Sequence, residues 1–215
     1  VVVSVNKWEQ KLNEVPNKIT KINKTEIIRN NPQTAADLLG QTGTVFIQKS
    51  QLGGGSPMIR GFATNRILLV IDGVRMNNAI YRSGNLQNII SIDALGTQTA
   101  EVIFGPGSLI YGSDAIGGVM DFHSLNAGFS KDKKMLVSGS ALARYSTANK
   151  ENTFHADINL GFKRWSLLSS VTYSKFDDLK MGKHGGQSSY LRPEYVERIN
   201  GIDSIVKNSN SRIQR

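Results

Sequence analysis

Glu101-Val-Ile-Phe-Gly-Pro-Gly-Ser-Leu-Ile-Tyr-Gly-Ser-Asp-Ala-Ile-Gly-Gly-Val119 is the stretch whose reading decides the fold. It holds five glycines and a proline among apolar residues. Glycine serves where the backbone takes φ > 0 or approaches other atoms closely, and each one carries an entropic cost. So many in an apolar setting indicate a compact, tightly turned body pressed against something. A phosphate cradle is the competing reading, and the residues do not support it. Gly107 to Gly112 is followed by Ser113 and Asp114, with no lysine for a P-loop. Gly105-Pro-Gly107 is followed at the third place by Ile110, so no dinucleotide fingerprint forms, and neither Ser108 nor Ser113 sits in a Gly-x-Ser-x-Gly elbow.

Upstream, Asn17–Asn23 alternates as a short strand, Thr25–Arg29 starts a helical turn, and Gln33–Leu39 reads as a helix that Gly40 terminates. Thr44–Gln48 reads as a strand and Gly53–Pro57 as a loop. Arg66–Ile71 is an apolar strand ended by the turn pair Asp72-Gly73, with Val74–Met76 as its hairpin partner. Asn77–Asn88 is loop-like, Ile89–Leu95 contains a helical turn, and Glu101–Phe104 is a strand. Ser108–Ala115 is a short helix and Gly117–Phe122 a closing strand. Together these make an α+β body, a small mixed sheet with short helices, over residues 15–125.

The character changes near residue 131, where period-2 alternation sets in. Val137, Ala141, Ala143 and Tyr145 oppose Ser138, Ser140, Arg144 and Ser146. Phe154, Ala156, Ile158, Leu160 and Phe162 oppose Thr153, His155, Asp157, Asn159 and Lys163; Trp165, Leu167, Val171 and Tyr173 oppose Ser166, Ser170, Thr172 and Ser174. Each segment has the ~9–11 residues of a tilted transmembrane strand, with aromatics toward both ends. Length and aromatic placement favour strands of a transmembrane β-barrel. A soluble antiparallel meander with one buried face is the alternative. Beyond Phe176 the chain turns polar, and no fourth strand is expected before Arg215. Three strands cannot close a barrel, so residues 126–215 read as a truncated barrel and the chain as an N-terminal fragment.

The bulk numbers exclude several classes. There is no cysteine, hence no disulfide or thiolate site. The formal charge of +9 divides as +2 over residues 1–125 and +7 over 126–215, scattered among Ser, Asn and Gly. That scatter speaks against nucleic-acid binding. The longest apolar run, Ile67–Ile71, is far short of the ~20 residues of a membrane helix. No signal peptide opens the chain. His123, His155 and His184 have no metal-ligand spacing and read as ordinary exposed side chains, with His155 on the polar face of its strand. No nucleophile–base–acid set appears, so neither an enzyme nor a cofactor or metal is expected. Arg60 and Glu101 border apolar strands, where an unpaired charge is costly. They read either as a mutual or local ion pair or as contacts to an enclosing surface.

Ala36-Asp-Leu-Leu39, Ile59-Arg-Gly61, Leu69-Val-Ile-Asp-Gly-Val-Arg75, Glu101-Val102, Gly105-Pro-Gly-Ser108 and Tyr111-Gly-Ser-Asp-Ala-Ile-Gly-Gly-Val119 resemble, in order and spacing, the plug domain of TonB-dependent outer-membrane receptors. The three amphipathic segments are similar to the start of that family's barrel. The resemblance implies a plug that gates the barrel lumen of a Gram-negative outer-membrane receptor, with its N-terminus in the periplasm. It implies active uptake of a scarce nutrient, such as an iron-siderophore, haem or cobalamin, energised by TonB. A non-transporting adhesin or signalling receptor on the same plug is the alternative. Residues 1–14 resemble the region of the TonB box, with Val1, Val2 and Val3 as an extended run suited to β-augmentation. The apical loops 51–57 and 77–85 are implied to meet the small-molecule ligand through Gly53, Gly54, Ser56, Asn78, Tyr81 and Arg82. Arg60 and Glu101 are implied contacts to the rest of the barrel, whose outer face meets lipid. Family members often carry an arginine just before Gly-Pro; here Phe104 stands there, which implies a reduced or rearranged plug-to-barrel ion network.

Overall fold

The computed structural model describes residues 8, 10–49, 55–63, 66–76, 87–131, 134–177 and 193–207. Two compact units are present, residues 1–177 and 178–215.

In the first unit β1 (Ile19–Asn23) runs directly into α1 (Lys24–Asn30). The junction is a capping box: Asn23 Oδ1 accepts from the Glu26 amide and Glu26 Oε2 from the Asn23 amide, both at 2.9 Å. Asn31 ends the helix in the left-handed region. Next come α2 (Ala35–Gly40), β2 (Phe46–Gln48), β3 (Ser56–Ile59) and β4 (Phe62–Ala63). The strands β2, β3 and β4 form a small antiparallel sheet in that order. Gly40, expected as a terminator, is the last helical residue of α2, and the chain turns at Gly43 with φ 67°. Ser56 and Pro57, expected in a loop, open β3.

The main sheet has the order β1-β7-β8-β5-β6, built from β5 (Ile67–Ile71), β6 (Val74–Arg75), β7 (Thr97–Phe104) and β8 (Gly118–Ser124). β5 and β8 are parallel, and the other pairs antiparallel. Its two faces follow the period of two. Ile22, Ile67, Leu69, Ala100, Val102, Met120 and Phe122 pack one face against Ile27, Leu38, Leu39 and Ile89. Leu68, Val70, Ile103 and Val119 pack the other against Tyr111 of α3 (Ser108–Tyr111) and Ala115. A sheet covered on both sides explains the unbroken apolar run Ile67–Ile71.

A three-stranded meander follows in the order β11-β10-β9: β9 (Leu136–Ser146), β10 (Glu151–Gly161) and β11 (Ser166–Lys175). Phe162 and Trp165 stack across the β10–β11 turn with ring centroids 3.9 Å apart.

The second unit holds a hairpin, β12 (Glu194–Ile199) and β13 (Ile202–Lys207). It corrects the expectation that no further strand is completed after Phe176. The turn pairs Arg60-Gly61, Asp72-Gly73 and Asn200-Gly201 each put both residues at positive φ, the two-residue turn that matches strand twist.

Candidate functional site

The meander is inside out for a soluble sheet. Tyr145, Phe154, Ile158, Leu167, Val171 and Tyr173 are each about half exposed or more (48–64%), whereas Glu151, Thr153, His155 and Asn159 on the other face are 1–5% exposed. A soluble meander buries its apolar face, so the pattern decides between the two readings in favour of barrel strands. The polar face is covered by the α+β body, and the contacts between them form a seam.

Arg144 of β9 is the main clamp, because its planar fork can donate in several directions at once. Its Nη1 donates to Asn31 Oδ1 at 2.9 Å, to the Asn31 carbonyl at 3.3 Å and to the Pro32 carbonyl at 2.9 Å. These acceptors lie at and just past the end of α1, where a cation suits the exposed carbonyls. Its Nε and Nη2 donate to Glu151 Oε1 at 3.0 and 2.5 Å. Glu151 in turn accepts from Thr153 Oγ1 at 2.7 Å and from Gln33 of the α+β body. A second tie joins Lys24 Nζ to Asp157 Oδ2 at 3.3 Å, and a third joins Thr172 Oγ1 to Asp93 Oδ2 at 2.5 Å. A cavity of about 350 Å³ opens beside the clamp, lined among others by Gln33, Asp93, Arg144, Thr153 and Thr172.

Sequence reasoning named none of these seam residues as plug-to-wall contacts. The plug partners of Arg144, Asn31 and Pro32, are 113 and 112 positions away, and local pattern carries no trace of such pairing. The one available signal was a run of polar side chains at every second place in β10, read only as a face. His155 corrects the expectation of an exposed histidine, since only 3% of it is exposed and it bonds within the seam.

Arg60 and Glu101 do not form a mutual pair. Glu101 is buried on β7 and its carboxylate meets Lys21 Nζ on β1 at 3.3 Å. Arg60 is exposed in the β3–β4 turn, its guanidinium carbon 5.9 Å from the centre of the Phe104 ring. Lys18 Nζ lies 5.5 Å from the same centre. Phe104 thus offers its ring to two cations, at distances where such contacts are attractive. Ser56 opens β3 opposite Gln48. Val1, Val2, Val3, Gly53, Gly54, Asn78, Tyr81, Arg82 and His184 lie outside the described residues.

The glycine run is closed on itself. The amides of Gly107, Gly112, Ala115 and Gly117 donate to the carbonyls of Ala115, Ser108, Gly112 and Arg66 at 2.7–3.2 Å. A phosphate cradle needs its amides free, so the packing reading holds. Among the described residues no three His, Asp or Glu side chains converge as a metal site.

One buried acid sits beneath this run. Asp121 of β8 is 3% exposed, opposite Glu101 on β7, and accepts from the Tyr111 hydroxyl at 3.1 Å. Burial pushes its carboxyl up to about 6, against the partial relief that the nearby His123 supplies. A raised folded value means that ionisation opposes folding. The contribution of this group is therefore favourable below about pH 4, is lost as pH rises from 4 to 6, and stays lost above. The shift from 3.8 to about 6 corresponds to about 3 kcal/mol. Asp121→Asn keeps an acceptor for Tyr111, so it is expected to stabilise this body at pH 8 and to flatten its stability profile between pH 4 and 6. Urea titration of the intact protein followed by amide exchange checks both; an unchanged profile contradicts the assignment.

A small mixed-sheet body held on the polar face of strands whose apolar face is bare is the arrangement of a plug and its barrel wall. The family model described as TonB-dependent Receptor Plug Domain matches residues 11–119, and the chain belongs to this family. The chain is similar to the vitamin B12 transporter BtuB of Vibrio vulnificus strain CMCP6, at 37% identity over 158 residues, 72% of this chain and 24% of the relative. Its counterpart in strain YJ016 is 35% identical over 230 residues, 94% of this chain and 37% of the relative. The chain thus spans from about a quarter to just over a third of these curated relatives. Among solved structures, the copper transporter OprC matches with TM-score 0.62 and 19% identity over 74% of this chain and 24% of that one. The ferripyoverdine receptor of the outer membrane of Pseudomonas aeruginosa matches with TM-score 0.62 and 16% identity over 80% and 22%. At such identities the likeness concerns the fold.

Proposed function

We propose that this chain is the gate and the start of the wall of an outer-membrane receptor that imports a scarce nutrient by active transport. The observation that carries the reading is the seam: a folded plug tied by charged and hydroxyl side chains to strands that present apolar faces outward. Polar ties suit a gate that must hold and yet be shifted, because each can be exchanged for water as the plug moves.

In this reading the N-terminus lies in the periplasm, and the extended run at Val1, Val2 and Val3 is where TonB adds a strand and pulls. Ligand meets the apical plug loops through Gly53, Gly54, Ser56, Asn78, Tyr81 and Arg82. Arg60, exposed beside Phe104, and Glu101 are the proposed contacts to further wall. The relatives named as vitamin B12 transporters make cobalamin the first ligand to test, ahead of iron-siderophores and haem.

Deleting the gene and restoring it under limitation for each nutrient tests the proposal. Growth and labelled-cobalamin uptake that require both the gene and TonB are expected. Cell-surface ligand binding with no TonB-dependent uptake of any candidate would replace transport by the adhesin or signalling reading.

A further inference from the structure

The second and third ties of the seam are joined through one imidazole. On β10, His155 Nε2 lies 3.3 Å from Asp157 Oδ2, which also accepts from Lys24 of the plug and from Ser140 of β9. On its other side, His155 Nδ1 lies 2.6 Å from Oγ1 of Thr172, its cross-strand partner on β11. Thr172 Oγ1 reaches Asp93 Oδ2 of the plug at 2.5 Å. The path therefore runs from plug to wall and back to plug: Lys24, Asp157, His155, Thr172, Asp93.

Counting hydrogens along it shows which state of the ring satisfies every contact. A threonine hydroxyl has one hydrogen, and a carboxylate only accepts. Asp93 takes the Thr172 hydrogen, so His155 Nδ1 must donate to Thr172. Asp157 only accepts, so its 3.3 Å contact is a hydrogen bond only when His155 Nε2 donates as well. Either neutral tautomer sets a nitrogen lone pair against an oxygen lone pair, at 2.6 Å on one side or 3.3 Å on the other. The doubly protonated ring satisfies every contact, and it leaves two cations, Lys24 and His155, among two carboxylates.

We infer that His155 ties the plug to the wall as an imidazolium, so that the plug's hold loosens when the ring loses its second proton. Histidine is the side chain that ordinarily changes charge between about pH 5 and 8, which makes this seam responsive to the acidity around the receptor. The inference rests on the plug-and-wall reading above and adds a proton dependence to it.

Asp93 provides the decisive variant. Its Oδ1 accepts from the Leu95 amide at 3.0 Å while Oδ2 faces Thr172. In Asp93→Asn the amide oxygen can keep the Leu95 contact and the NH2 group can donate to Thr172. Thr172 is then free to donate to Nδ1, and a neutral ring satisfies the whole path. The test is amide exchange of plug segments 24–30 and 87–95 in the intact receptor in detergent, corrected for intrinsic pH dependence. An Asp121→Asn background removes that group's own titration. Losing a hydrogen bond to a charged group is worth about tenfold or more in an opening equilibrium, so exchange is expected to rise about tenfold between pH 6 and 9. In Asp93→Asn the rise is expected to fall below about twofold, with exchange at pH 6 unchanged. A pH-independent parent, or a variant that keeps the full pH dependence, overturns the inference. The control that combines Arg144→Ala, Asp157→Asn and Thr172→Ala, which cuts all three ties, separates this from failure of the docking itself. If it leaves both segments unaltered at every pH, these segments are not held by the wall at all.

Discussion

Replacing Arg144 by alanine is expected to free the plug from the wall at the end of α1 and to destabilise the assembly by about 3 kcal/mol. The effect has two parts. The plug loses three acceptor contacts at Asn31 and Pro32, and Glu151, 1% exposed, loses its counter-ion. Breaking a buried pair from one side typically costs about 3–5 kcal/mol, because the remaining charge is stranded. The lower end applies here, since Gln33 and Thr153 still donate to Glu151. Exchange of plug amides in the intact receptor, and its midpoint in urea, measure the loss. Adding Glu151→Gln to the Arg144→Ala variant removes the stranded charge and should recover a substantial part. A double variant no better than the single would show that the stranded carboxylate is not the source.

The second large effect is expected at Gly118, inside the run that decides the fold. A Cβ at this position would lie 2.7 Å from the Ile103 carbonyl oxygen and 2.9 Å from Ile59 Cδ1. The first obstacle is the backbone of the neighbouring strand β7, which cannot swing aside as a side-chain tip can. Overpacking usually costs about 1–3 kcal/mol, and Gly118→Ala is expected at the upper end. Gly43→Ala is the contrast. Gly43 also sits at positive φ, but a Cβ there meets nothing within 4 Å, so only the conformational cost of about 1–2 kcal/mol remains. Comparing the two in plug stability separates crowding from backbone preference. Equal losses would mean that the glycine run serves turning alone and not close packing.

Much of the fold was legible because its signals are local. The pair Asp72-Gly73 between apolar runs announces the β5–β6 hairpin, and alternation over residues 136–175 announces three long strands within a residue or two of their observed ends. The hairpin β12–β13 went unread although Asn200-Gly201 marks its turn. Its apolar residues fall on both faces, with Val196 opposite Ile205 and Ile199 opposite Ile202, so no clean alternation points to a strand. The seam was illegible for a different reason. Arg144, Asp157 and Thr172 look like any polar residues on a strand face. Only the docking of the plug gives Asn31, Lys24 and Asp93 to them as partners. Phe104 lies between these extremes. Its place in the motif was readable, but its contact with Arg60 and Lys18 required the β3–β4 turn and β1 to be placed beside it.

Which side of the meander faces lipid is the claim on which the gate reading stands, and accessibility scanning of the intact receptor in lipid bilayers tests it directly. Nitroxide labels placed one at a time at Phe154, Ile158 and Val171 are expected to be relaxed by oxygen, which concentrates in the bilayer, and shielded from a water-soluble nickel chelate. Labels at Thr153 and Asn159 are expected to be shielded from both, because the plug closes over Thr153 and the segment at Gly128 over Asn159. Oxygen access at Thr153 and Asn159, with Phe154, Ile158 and Val171 buried against protein, would contradict the account and return the meander to a soluble sheet.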